Sequence, residues 1–306
     1  MNWKWRLQQI LLAFCAAAAV TKFWPSDRWP LAAALSYFPA PILFITIVSL
    51  LIWTHRKAIL SAFLCLALAG TFYLENQRLF ADRLPAKPES IRILHWNVWG
   101  ARRGPQAVAT IIAAQHPDII CLNEPKASRQ ERFYPPYPEL LGGNWHSWTE
   151  SFMAILSRFP MQKLQVFEGT GYQALLARIE SPTPITVLLL DVSPRLSPSR
   201  RKIFEDLRHQ LSTLPKPPDI LVGDFNTPSL SFSLTPLAQM GYSDCYQLAG
   251  SGISYTWPLF FPMLRIDILL AHSSWKVQRH EIGFSTLSDH GWQWAEIYRP
   301  GDSLER

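Results

Sequence analysis

Charge is scarce in this 306-residue chain: Asp, Glu, Lys and Arg together make up 17% of it, against about 25% in typical soluble domains. The shortage is local, because residues 1–84 contain three uncharged apolar runs, at 7–21, 31–54 and 58–74. Cysteine is scarce as well, with only Cys15, Cys65, Cys121 and Cys245. No two of them form a CxxC pair, which excludes a zinc ribbon or a CxxC redox centre, and their spacing is not that of a disulfide framework. Each is expected to be a buried, inert thiol. The absence of internal repeats and low-complexity tracts sets repeat architectures aside.

The net charge of +6 suggests a nucleic-acid binder, but its distribution argues otherwise. Residues 1–89 carry nine Lys and Arg against four Asp and Glu, whereas residues 90–306 carry 20 against 19. The excess therefore flanks the apolar runs, where positive charge sets membrane orientation. The remainder is nearly neutral and has no global electrostatic footprint for nucleic acid.

The 24-residue run at 31–54 is long enough to span a bilayer. Pro39 and Pro41 within it predict a kink, and the 17-residue run at 58–74 is near the lower limit. Trp24, Trp29, Trp53 and Tyr73 lie near the ends of the runs, as interfacial aromatics do. Residues 1–84 are therefore expected to form a membrane anchor of three transmembrane helices. Lys4, Arg6, Arg56 and Lys57 favour an N-terminus inside, and an odd number of spans then places the C-terminal part outside the cytoplasm. A linker with Pro85 and Pro88 covers 85–90.

From residue 91 the pattern becomes strands alternating with helices. Strands are expected at 91–98, 118–124, 152–157, 174–179, 185–192, 219–226, 265–270 and 292–297, and helices at 105–115 and 200–211. A recurring event marks this stretch, in which an apolar strand delivers a carboxylate or carboxamide at its end. Asn97, Glu124, Asp224 and Asn226 all arrive this way, and the Ser288-Asp289-His290 turn precedes the final strand. Polar groups on rigid strand ends suit a preorganised site, and oxygen ligands without cysteine fit a hard cation.

Six fragments carry a family likeness: Trp96-Asn97-Val98 with Gly100; Pro117-Asp118 through Glu124; Ala154 to Ser157 with Pro160; Gly223-Asp224-Phe225-Asn226; Arg265-Ile266-Asp267; and Ser288-Asp289-His290. In this order they resemble the endonuclease/exonuclease/phosphatase superfamily, the DNase I-like group. The resemblance covers about 91–297, in a catalytic domain expected at 91–300, and implies an α/β fold in which two sheets form a sandwich flanked by helices. It implies a phosphoesterase using Mg²⁺ or Mn²⁺, with Glu124, Asn97 and Asp289 at the metal. Asp224 would activate water, Asn226 and His290 would meet the phosphate, and Asp267 would orient His290. The phosphoester could be lipid-borne, at the bilayer holding the anchor, or a nucleic acid; no protein partner is implied.

Asp191 departs from the pattern, because many members carry His at that position. An acid donates to phosphate at neutral pH only if its pKa is raised, so Arg195 or Arg200 is the alternative donor, or Asp191 adds a metal ligand, or turnover is weak and the protein only binds. Trp257, in the aromatic stretch 255–262, would border the substrate. His95 is a weaker candidate, on the same strand as Asn97. The basic cluster at 197–202 reads as a solvated helix start.

Overall fold

The computed structural model describes residues 3, 6, 10, 89–126, 136–260 and 262–301. The expected membrane anchor and most of the linker lie outside these residues. Among the described residues no helix is long and apolar enough to cross a membrane.

Two six-stranded sheets pack face to face. The first runs β11-β12-β1-β2-β4-β3 and the second β5-β6-β7-β8-β10-β9. In the first, β1 (Ile91–Asn97) lies parallel to β2 (Ile119–Asn123) and antiparallel to β12 (Trp292–Tyr298). In the second, β7 (Ile185–Val192) lies parallel to β8 (Ile220–Asp224), which pairs antiparallel with β10 (Asp267–His272). The remaining inner strands are β4 (Met153–Ser157) and β6 (Tyr172–Ile179). The sheet edges are β3 (His146–Glu150), β5 (Met161–Gly169), β9 (Tyr242–Asp244) and β11 (Lys276–Gly283).

Parallel neighbours need crossovers, and helices supply them. The link from β1 to β2 holds α1 (Pro105–Ala114), followed along the chain by α2 (Tyr137–Leu141). The link from β7 to β8 holds α3 (Arg200–Ser212). Two short helices follow, α4 (Thr235–Ala238) and α5 (Cys245–Ala249). Each helix needs an apolar surface to cover, so the inner strands are apolar on both faces. Val108, Ala109 and Ile112 of α1 pack on Leu94, Trp96, Ile120 and Leu122. Ile203, Phe204, Leu207 and Leu211 of α3 pack on Leu188, Leu190, Leu221 and Ile268. Cys121 and Cys245 are free and buried, and burial pushes both thiols far up, as expected of inert cysteines.

Gly223 marks the closest approach in the second sheet. Its φ is +151°, and a Cβ there would lie 1.9 Å from the carbonyl oxygen of Leu190, its partner on β7. Backbone cannot yield as a flexible side chain can. Gly223→Ala is expected to destabilise the fold by at least about 1 kcal/mol and to lower Tm by at least about 2 °C. Thermal melts of the two proteins read this directly.

Candidate active site

Strand geometry builds the site from the inter-sheet layer itself. Alternate residues of a strand share a face. Ile91, Ile93, Ile119, Cys121, Leu189, Ile220, Val222, Leu269, Ala271, Ala295 and Ile297 belong to the inter-sheet core. The next positions on those same faces, at one end of each strand, are His95, Asn97, Asn123, Asp191, Asp224, Asp267 and Gln293. One end of the apolar layer is therefore polar. Strand pairing aligns these positions: Asn97 with Asn123, and Asp224 with both Asp191 and Asp267.

His290 and Asp267 form the innermost contact. His290 Nδ1 bonds to Asp267 Oδ2 at 2.8 Å. Asp267 is fully buried and His290 is 7% exposed. Burial alone would lower the His290 pKa, but the charge of Asp267 and the hydrogen bond to it reverse this and push it up to about 10. Burial works to raise Asp267, and the charge of His290 and its hydrogen bond outweigh that, holding the carboxyl below its ordinary value. The pairing thus favours the imidazolium form of His290 and engages its Nδ1.

Asp224 faces the same space. Burial, then the neighbouring charge of Asp267, pushes its pKa up to about 8. Its Oδ2 accepts from Asn97 Nδ2 at 3.1 Å and its Oδ1 from the Asn226 amide at 2.9 Å. Asn97 Nδ2 also approaches Glu124 Oε1 at 3.3 Å, and Asn97 Oδ1 accepts from the Trp99 amide. Asn97 therefore bridges the two carboxylates through Nδ2. Glu124 and Asn226 have φ of 50° and 44°, a region that costs a non-glycine residue about 1 kcal/mol or more. Backbone bonds impose it at Glu124, whose N–H donates to Phe152 O and whose carbonyl accepts from Gly100.

These groups open into a cleft of about 770 Å³ lined by Glu124, Asp191, Asp224, Asn226, Asp289 and His290, with Trp257 and Tyr172 among its walls. Trp257 Nε1 donates to Asp289 Oδ2 at 3.1 Å. Asp289 Oδ1 is buried with no hydrogen-bond partner. Among the described lining residues four carboxylates meet one imidazole, with no Lys or Arg. An orphaned carboxylate oxygen within such an excess of negative charge fits a divalent cation. The ligating atoms of Asp224, Asp267 and His290 also lie within 4.8 Å of one another. There the Nδ1 of His290 is already engaged by Asp267.

The structure brings together Asn97, Glu124, Asp191, Asp224, Asn226, Trp257, Asp267, Asp289 and His290. Arg200 is a correction. It is 2% exposed and donates through Nη1 to the carbonyl of Ser193, so it braces the loop after β7 and does not reach the cleft. Its place in α3 puts it on the buried face with Ile203 and Phe204. Arg195 is exposed and does not line the cleft either.

His95 lies beneath the site. Its Nε2 bonds to Asn123 Oδ1 at 2.8 Å, and Gln293 Nε2 lies 3.3 Å from its Nδ1. Burial lowers its pKa. Asn123, which sequence reasoning missed, also accepts from the Asp224 amide and donates to Leu190 O, tying the two sheets together. Thr256 was missed too; its Oγ1 accepts from the amides of Ile266 and Asp267. The period-two pattern of β2 was the available signal for Asn123. Thr256 has none, because it lies in a loop.

Comparison with known proteins fits this geometry. No curated protein matches the chain. Solved structures share the fold. A protein of the endonuclease/exonuclease/phosphatase family from Bacteroides thetaiotaomicron is 15% identical with TM-score 0.55, over 69% of this chain and 98% of its own. D. rerio TDP2, humanised by 14 mutations, is 16% identical with TM-score 0.53, over 69% and 99%. The 3′ phosphatase NExo from Neisseria, bound to a product DNA hairpin, is 19% identical with TM-score 0.52, over 68% and 99%. Residues 94–290 match the model of the Endonuclease/Exonuclease/phosphatase family, and the chain belongs to that family.

Proposed function

We propose that the protein is a metal-dependent phosphoesterase that hydrolyses its substrate with an activated water. The observation that carries this is the convergence of the Asp267–His290 pair, Asp224, Glu124 and Asp289 on one cleft. Glu124 and Asp289 would hold Mg²⁺ or Mn²⁺, with Asn97 orienting Glu124. Bound there, the ion would supply Lewis-acid polarisation of the phosphoryl oxygen and charge stabilisation at the leaving oxygen.

The protein groups divide the remaining work. Asp224, with its raised proton affinity, accepts a proton from the attacking water. The water oxygen forms a bond to phosphorus as the bond to the ester oxygen breaks. Protonated His290 donates to a phosphoryl oxygen through Nε2, since Nδ1 is held by Asp267, and so stabilises the developing charge. Asn226 donates through Nδ2 to Val192 O at 2.7 Å, which fixes the amide at the cleft wall where it can meet the same phosphate.

The substrate is read as a phosphoester at a membrane. The three uncharged runs in residues 1–84 support an anchor, with the catalytic part outside the cytoplasm. A nuclease is the second reading, favoured by the DNA in the NExo structure. The absence of Lys and Arg from the described cleft lining weighs against it, because binding nucleic acid draws on phosphate neutralisation. A protein that binds without turnover is the third, resting on Asp191 alone.

The test is hydrolysis of bis-p-nitrophenyl phosphate, plasmid DNA and a phospholipid panel by the purified chain, with Mg²⁺, Mn²⁺ or EDTA. Turnover that EDTA abolishes is expected. No turnover on any substrate by folded protein would leave only the binding reading.

A further inference from the structure

The apolar residues around the cleft mouth remain unexplained by the chemistry. Trp257 and Leu264 exchange backbone hydrogen bonds at 2.9 Å in both directions, closing a loop between them, and both line the cleft. Phe260 lies in this loop and is 84% exposed, the most exposed large apolar residue among the described residues. Leu230, 54% exposed, stands on the adjacent loop, which is tied to this one by the Ser229 amide on Arg265 O. Phe284 is also exposed and its ring lies against Gly291, next to His290.

Three exposed apolar side chains thus stand on three segments whose other residues, Pro228, Trp257 with Leu264, and Asp289 with His290, line one cleft. Scattered apolar residues need no explanation, but a group around a site mouth marks an interaction surface. The charge pattern narrows the partner. Residues 245–264 contain no charged residue, and the described cleft wall has no Lys or Arg. A polyanion would find no counter-charge there, whereas a bilayer accepts an uncharged aromatic loop at its interface. The chain ahead of residue 85, with its three uncharged runs, would keep such a surface within reach.

We infer that Phe260, with Leu230 and Phe284, seats the cleft mouth on a lipid surface, so that the phosphoester entering the cleft is carried in the membrane. This rests on the phosphoesterase reading for the identity of the reaction but not for the contact. Phe260 would enter the interface while Trp257, held by Asp289, stays with the site.

The test uses the full chain in phosphatidylcholine–phosphatidylglycerol vesicles. Cys15 and Cys65 are replaced by Ser, and a single fluorophore is placed at Phe260→Cys or, as a control, at Arg208→Cys on the exposed face of α3; Cys121 and Cys245 are buried. The label at 260 is expected to be quenched by nitroxide-bearing lipid and shielded from iodide, and the label at 208 to show the reverse. Iodide quenching at 260 equal to that at 208 would overturn the inference. So would shielding at 260 that requires an added single-stranded oligonucleotide, which would assign the loop to nucleic acid.

Turnover of soluble bis-p-nitrophenyl phosphate, read in the same vesicles, separates the two readings. Its absence, together with no turnover of the phospholipid panel and with lipid quenching intact, sinks the phosphoesterase and leaves the docking surface standing. The Phe260→Asp variant, with its fluorophore placed at Leu230→Cys instead, completes the test. Its lipid contact should fall about tenfold or more, while its soluble turnover stays within about twofold. Unchanged lipid contact in this variant would overturn the inference.

Discussion

Glu124→Gln is expected to lower turnover at least a hundredfold, about 2.7 kcal/mol in the activation barrier. The substitution keeps the shape of the side chain and the oxygen that accepts from Asn97 Nδ2. The backbone bonds that hold the unusual φ of Glu124 also remain. What it removes is one negative charge from the carboxylate set that fits a divalent cation. The loss should therefore appear as weakened metal dependence, with the activity midpoint moving to higher Mg²⁺ or Mn²⁺ and Tm nearly unchanged. Metal titrations of both proteins provide the measurement. Near-normal turnover at ordinary metal concentration would show that the ion is held elsewhere, with Asp224, Asp267 and His290 the next donors to test.

His290→Ala is expected to cost about a hundredfold to a thousandfold in kcat, the usual effect of removing one donor to a developing oxyanion. The pH profile gives the more specific reading. His290 must be protonated to donate, so the rate should be retained below its raised pKa and fall as pH rises through about 10. Asp224 must be ionised to accept a proton, and its pKa is raised to about 8. The acid limb therefore lies at or below pH 8, lower when a cation sits nearby. Asp267→Asn removes the counter-charge of His290 but can still accept from Nδ1, so it should move the alkaline limb to lower pH. An alkaline limb unmoved in Asp267→Asn, or retained in His290→Ala, would assign that titration to another group.

Asp191 becomes intelligible beside these two. It is aligned with Asp224 across the parallel β7–β8 pair, and its charge is among the causes that raise Asp224. A histidine there would offer the phosphate a donor; an aspartate instead adds to the negative wall and to the pull on a cation.

The inner strands were legible in the sequence because they are covered on both faces. In β1, β2, β4, β6, β7, β8, β10 and β12, apolar runs stand out against their turns. The four strands without a sequence signal, β3, β5, β9 and β11, are the four sheet edges. In β5, residues 162–166 are exposed, and Gln162, Lys163 and Gln165 among them blur the apolar pattern. An edge strand is specified by its partner's hydrogen bonds more than by its own burial. The polar strand ends were legible too, because a carboxylate after an apolar run breaks the pattern visibly.

Partnership was decided only in three dimensions. No spacing reveals that residue 97 bridges residues 124 and 224, or that the face of β1 carrying Ile93, His95 and Asn97 is the one that meets the second sheet. The sequence also read Arg200 as an available cation, since a basic cluster at a helix start is usually solvated. The first turn of α3 packs against the sheet and puts that guanidinium on the carbonyl of Ser193. Local pattern determined which residues are polar within an apolar frame, because burial and periodicity act along the strand. Tertiary structure decided which of them meet, because pairing register and sheet packing join residues more than a hundred positions apart.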